Sequence, residues 1–212
     1  MKDFSISMAL VDYIPVIFFF LATANLMRDL YGKMSKASFA LFAAGSLNIT
    51  IAGALKATYK LLYAAGICDF EPLNAMFFPT QSIGFMLAGV GIVLMLVKKE
   101  KKGTAAFAVA PPVFTGTFVF VGLMVAGLGL IDAVLCILSV KLKKPALIVL
   151  FVVSFICSLC MGYLSSKDFA EAAMNWIAEG VNVVGQGALL AGALLLHKYG
   201  LGDLELCEEE KS

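Results

Sequence analysis

Four amide and acid side chains recur at helical spacing near the end of the chain. They are Asn175, Glu179, Asn182 and Gln186, set four, three and four residues apart. An α-helix stacks such positions on one face, and turns Ile177, Val181, Val184 and Ala188 the other way. The amides are suited to holding helices together, whereas an ionisable Glu179 is more than such a seam requires and points to a solute or proton site. Asp132 is the second acid within an apolar run, and reads as a cavity or pairing residue.

Upstream, a long apolar segment carries Asn48, Thr50, Lys56, Tyr59 and Lys60. Both lysines are expected to snorkel to an interface, with a gate pairing Lys56 to Glu179 or Asp132 as the alternative. The next segment holds Asn74, Thr80, Gln81 and Ser82 around Pro79, whose missing N–H frees a carbonyl that a ligand can use. Asn25 is a further candidate for the same cavity.

Other chemistry is disfavoured. Cys157-Ser-Leu-Cys160 has thiol-oxidoreductase spacing but no second cysteine pair to relay electrons, and cysteine in an apolar helix is mostly a small packing residue. Asp132 follows Gly127-Leu-Gly129 two residues too late for an intramembrane aspartyl protease motif, and its only intramembrane acidic partner would be Asp12. A single histidine, His197, gives no metal cluster, and there is no phosphate loop, nucleophile elbow or zinc-protease motif. No cofactor is expected. Asn48-Ile-Thr50 matches a glycosylation acceptor, but falls within a membrane segment.

The elements that position these residues follow from composition. Of 212 residues, 61% are apolar and 15% charged, and the mean hydropathy is +0.93. Soluble domains are roughly 45–50% apolar. Lipid is the solvent that suits such a chain, which predicts an all-α integral membrane protein. Nucleic acid is excluded as a partner, since no polar segment is long enough for a basic reading surface. The first apolar run follows Asp3 and Asp12 and precedes its basic residues, so it reads as a membrane helix, not a cleaved leader. The cysteines form no disulfide framework: Cys68 falls in a loop and Cys207 in the acidic tail.

Five spans are placed near 8–26, 38–64, 73–97, 145–165 and 172–197, each near the ~20 residues a bilayer requires. Segment 103–141 has Asp132 as its only charge and would be roughly 57 Å long as one helix. It holds either one span of about 115–140, making six, or two short spans meeting at a turn within 122–129, making seven. Pro111-Pro112 would kink or begin the fourth helix. The distribution of basic residues decides between them. Seven spans with the amino terminus outside put twelve of the sixteen basic residues on the cytoplasmic side, whereas six spans divide them eight and eight. Seven is preferred. Residues 1–200 then form the membrane domain and 201–212 a solvated acidic cytoplasmic tail.

The third and seventh spans also overlay, residue i on i + 101, matching Asn74 with Asn175, Gly84 with Gly185 and Gly91 with Gly192. Basic linkers at 32–36 and 140–144 precede the second helix of each proposed triplet. A 3+1+3 plan with parallel repeats follows, and resembles in outline the sugar-exporter class of transporters. The adjacent Pro-Gln pair of that class is missing, with Pro79-Thr80-Gln81 in its place. No family is identified.

The expectation is therefore a carrier of a small polar or cationic solute in the cell membrane, with proton coupling through Glu179 as an option. Its site is expected to be Glu179, Asn182, Gln186, Asn175, Gln81, Asn48 and Asp132. Partners would be the bilayer, the solute and, as an option, a second copy of the chain. The rival readings are a membrane enzyme acting on lipid or quinone and a non-catalytic sensor or assembly subunit.

Overall fold

A computed structural model describes residues 5–97, 117–164 and 172–205. These form helices joined by turns, with no strand among the described residues. The helices are α1 (Ile6–Val11), α2 (Tyr13–Leu30), α3 (Lys36–Ala64), α4 (Glu71–Ala75), α5 (Phe77–Leu94), α6 (Thr117–Lys141), α7 (Ile148–Leu164) and α8 (Ala172–Lys198). Five spans are long and apolar enough to cross a membrane, and α7 is a shorter apolar helix. Among the described residues the chain is all-helical, with the helices of a membrane protein.

Proline sets two of the boundaries. Pro15 and Pro79 each lie three residues after a break, at Asp12 and at Met76, where neither can donate to the carbonyl four residues back. Ser35 opens α3 by accepting the Ser38 N–H at 3.1 Å. Gly66 (φ 68°) ends α3 and Gly200 (φ 86°) ends α8 in the left-handed conformation that glycine favours.

Side-chain contacts fix the direction of each helix. Tyr13 is 2.8 Å from Thr58, so α2 and α3 are antiparallel. Asn48 donates to the Thr80 carbonyl at 2.9 Å and Ser38 to that of Gly91 at 2.6 Å, so α3 and α5 are antiparallel too. Ser82 donates to the Phe120 carbonyl at 2.8 Å while Gly89 meets Gly127, which makes α5 and α6 parallel. Gly185 packs on Cys157 and Gly192 on Phe151, an antiparallel α7–α8 pair. Asp12 approaches Glu179 through Lys60 at one end of the bundle, and Asp29 meets His197 at the other, so α2 and α8 are parallel.

The helices thus close a ring in the order α2, α3, α5, α6, α7, α8. Ser5, Ile67 and Tyr163 stand at one end, the near face, and Tyr31, Val97, Lys143 and Tyr199 at the other, the far face. Exposed aromatics mark both ends, with Tyr163 and Trp176 at one and Tyr31 and Tyr199 at the other. From Trp176 to Tyr199, just past the end of α8, is about 34 Å at helical rise, slightly more than the ~30 Å thickness of a hydrocarbon core. Exposed Ile17, Phe20, Leu47, Ile83, Val152 and Val184 cover the girdle between them, as lipid requires.

The turn expected within 122–129 does not occur: those residues lie inside continuous α6. Gly127 sits where a Cβ would come under 3.0 Å from the Phe85 backbone, so this glycine run is a packing seam with α5. Pro111-Pro112 and the remainder of segment 98–116 lie outside the described residues. The tail also departs from expectation at its start. Leu201 is fully buried, and Lys33 Nζ donates to the carbonyls of Gly202 (2.8 Å) and Leu204 (2.7 Å). Residues 206–212, including Cys207, lie outside the described residues.

Candidate functional site

The half of the ring towards the far face is packed solid. Leu26, Leu30, Phe42, Ile92, Leu135, Leu138, Phe151, Leu189 and Leu196 are buried there in one apolar cluster. The half towards the near face encloses a cavity of about 120 Å³ lined by all six ring helices. Its walls include Phe19 of α2, Ile49 to Lys60 of α3, Phe77 to Phe85 of α5, Met124 to Leu128 of α6, Ser158 of α7 and Glu179 to Gln186 of α8.

Three charges form one side. Lys60 Nζ lies 2.6 Å from Asp12 Oδ2 and 2.9 Å from Glu179 Oε1, and all three side chains are under 10% exposed. The break at Asp12 brings its carboxylate over the ring interior, and the length of α3 carries Lys60 up to meet it. Burying charge is tolerable only with such pairing. Lys56 lies one turn deeper on α3. Its ammonium is 4.0 Å from the centroid of the Phe77 ring and 5.9 Å from that of Phe78. Among the described residues, no carboxylate forms a salt bridge with it. The aromatic faces stabilise the ammonium, and Asp12 and Glu179 attract it from beyond salt-bridge distance. Gln81, Asn182 and Gln186 add amide groups to the walls, and Gln186 Oε1 is buried without a hydrogen-bond partner among the described residues. Such an atom costs about 1–3 kcal/mol unless something bonds it.

The expected site residues therefore divide. Glu179, Asn182, Gln186 and Gln81 line the cavity. Asn48 does not, because its amide is spent on the Thr80 carbonyl beside the Pro79 break. Asn175 is buried a turn before Glu179, outside the lining, and Asp132 is buried on α6 away from it. Asn25 bonds Arg28 at the far face. Neither lysine snorkels: Lys60, not Lys56, pairs with Glu179, and the pairing includes Asp12. Cys157 packs on Gly185 and Cys160 is exposed, neither lining the cavity. Asp12, Lys60 and the Phe77–Phe78 pair are the parts that spacing alone did not reveal. Lys60 carried a partial signal as a lysine in an apolar run, and Asp12 one as a carboxylate three residues before a proline. No group of three or more metal-ligating side chains exists among the described residues.

Comparison with protein-family models, curated proteins and solved structures gives no match.

Proposed function

We propose that the chain is a carrier of a small polar solute. The observation that supports this most directly is the off-centre cavity of about 120 Å³, lined in part by charged and amide side chains in one half of the membrane and bounded by an apolar floor in the other. A structural bundle has no reason to keep an ion triad and an unpartnered amide around empty space. The arrangement fits one end state of alternating access, with the site facing the near side.

The proposed topology has seven crossings. Chain direction supports it, because α5 ends at the far face and α6 begins at the near face. Seven of the nine described basic residues (Arg28, Lys33, Lys36, Lys141, Lys143, Lys144 and Lys198) stand at the far face, and the other two turn inward. The far face is then cytoplasmic and the near face outside.

A 3+1+3 repeat is proposed on the same grounds. Overlaying α2 and α3 on α6 and α7 at i + 109, and α5 on α8 at i + 101, pairs cavity positions with cavity positions. Pro15 falls on Met124, Val16 on Val125, Phe19 on Leu128, Ile49 on Ser158, Phe78 on Glu179, Gln81 on Asn182 and Phe85 on Gln186. The seams agree: Gly84 and Gly91 pack on α3 as Gly185 and Gly192 pack on α7.

Thiol accessibility tests the carrier reading without knowledge of the solute. In a cysteine-free background, Asn182→Cys should react with a membrane-impermeant thiosulfonate from the near face, and in a fraction of molecules from the far face. Labelling from neither side in native membranes would overturn it.

A further inference from the structure

Resting on the carrier reading of this cavity, we infer that its occupant is a small zwitterion of the amino-acid class. The carboxylate would sit on Lys56 and the ammonium towards the Glu179 and Gln186 wall. Charge placement carries the inference. Two carboxylates and two ammonium groups line the cavity, so its formal charge is zero, yet the charges are not evenly matched in space. Lys60 sits between Asp12 and Glu179 at 2.6 and 2.9 Å, and one cation there leaves one negative charge over. The balancing positive charge is Lys56, held against Phe77 at 4.0 Å and in salt-bridge contact with no carboxylate among the described residues.

The cavity therefore presents a separated positive and negative site. With the lining formally neutral, a lone anion or a lone cation would leave a net charge buried, which is costly. A net-neutral solute with separated charges answers both sites. Gln186 Oε1 independently asks for a donor, which an ammonium supplies and a simple carboxylic acid anion does not. The remaining walls, among them Phe78, Phe85, Met124 and Leu128, accept an apolar substituent. At about 120 Å³ the space is well below that of a drug-sized ligand site, so the substituent is small.

The test compares three ligands of one shape on the purified full chain in detergent, by competition binding and thermal shift. Valine carries both charges, isovalerate only the anion and isobutylamine only the cation. Valine should bind at least tenfold more tightly than either, Lys56→Met should weaken valine at least tenfold, and Lys56→Arg should retain it. Isovalerate or isobutylamine binding as well as valine overturns the inference, as does no binding by any of the three. Should Lys56→Met fail to fold, the ligand series on the unmodified protein decides alone. Valine that binds but is not taken up by proteoliposomes leaves the zwitterion site standing and removes the carrier reading.

Discussion

Lys60 is bound from two sides by carboxylates, and that makes it the least replaceable residue of the cavity. Lys60→Met would leave Asp12 and Glu179 facing each other, both buried, with no cation between them. Removing one partner of a buried ion pair costs roughly 3–5 kcal/mol. The variant should melt well below the parent in detergent, and adding Asp12→Asn and Glu179→Gln together should restore most of the difference. A single variant as stable as the parent would mean that the triad carries no such energy. The contrasting residue is Gln186. Its Oε1 bonds nothing among the described residues, so Gln186→Leu should leave the melting temperature unchanged or raised while reducing occupancy of the cavity.

At the level of elements, the bundle depends on close backbone approach at a few glycines. A Cβ at Gly127 would meet the Phe85 backbone under 3.0 Å, whereas one at Gly180 meets nothing within 4 Å. Gly127→Leu should therefore cost about 1–3 kcal/mol by forcing α5 and α6 apart. Gly180→Ala should be neutral or stabilising by up to about 1 kcal/mol, since alanine suits a helix interior better. Thermal melts of the pair check both signs. The two proline-set breaks act differently. With Pro15→Ala, α1 and α2 can fuse into one helix and swing Asp12 off Lys60, so valine binding should fall by more than stability does.

Across the whole molecule, sides of the membrane are the decisive observable. Cys68 is an exposed native thiol at the near face, and Lys143 lies in the turn after α6 at the far face. An impermeant maleimide should label Cys68 from outside and a Lys143→Cys variant only from the cytoplasm; labelling of both from one side excludes the seven-crossing topology. Much of this scale was legible in the sequence. Apolar runs gave the spans, because hydropathy responds to lipid directly. The turn expected within 122–129 is absent because hydropathy cannot tell a glycine that bends a chain from one that lets Phe85 approach. The candidate site was half legible. Helical spacing groups Glu179, Asn182 and Gln186 on one face, but only packing reveals that Asn48 is spent on Thr80 and that Lys60 reaches Asp12 across 48 residues of sequence.

The two parallel seams of the ring differ in kind, and this has a mechanical consequence. Between α5 and α6 the backbones touch through Gly89 and Gly127, with the Ser82 hydrogen bond to the Phe120 carbonyl nearby. Between α2 and α8 the ends are clasped by polar side chains, Asp12–Lys60–Glu179 at the near face and Asp29–His197 at the far face. The first seam has the character of a fulcrum, and the second that of a jaw with a catch at each tip. On the proposed carrier reading, a zwitterion that competes for the Lys60 carboxylates would release the near catch while the far one, already closed at 3.0 Å, holds α2 to α8.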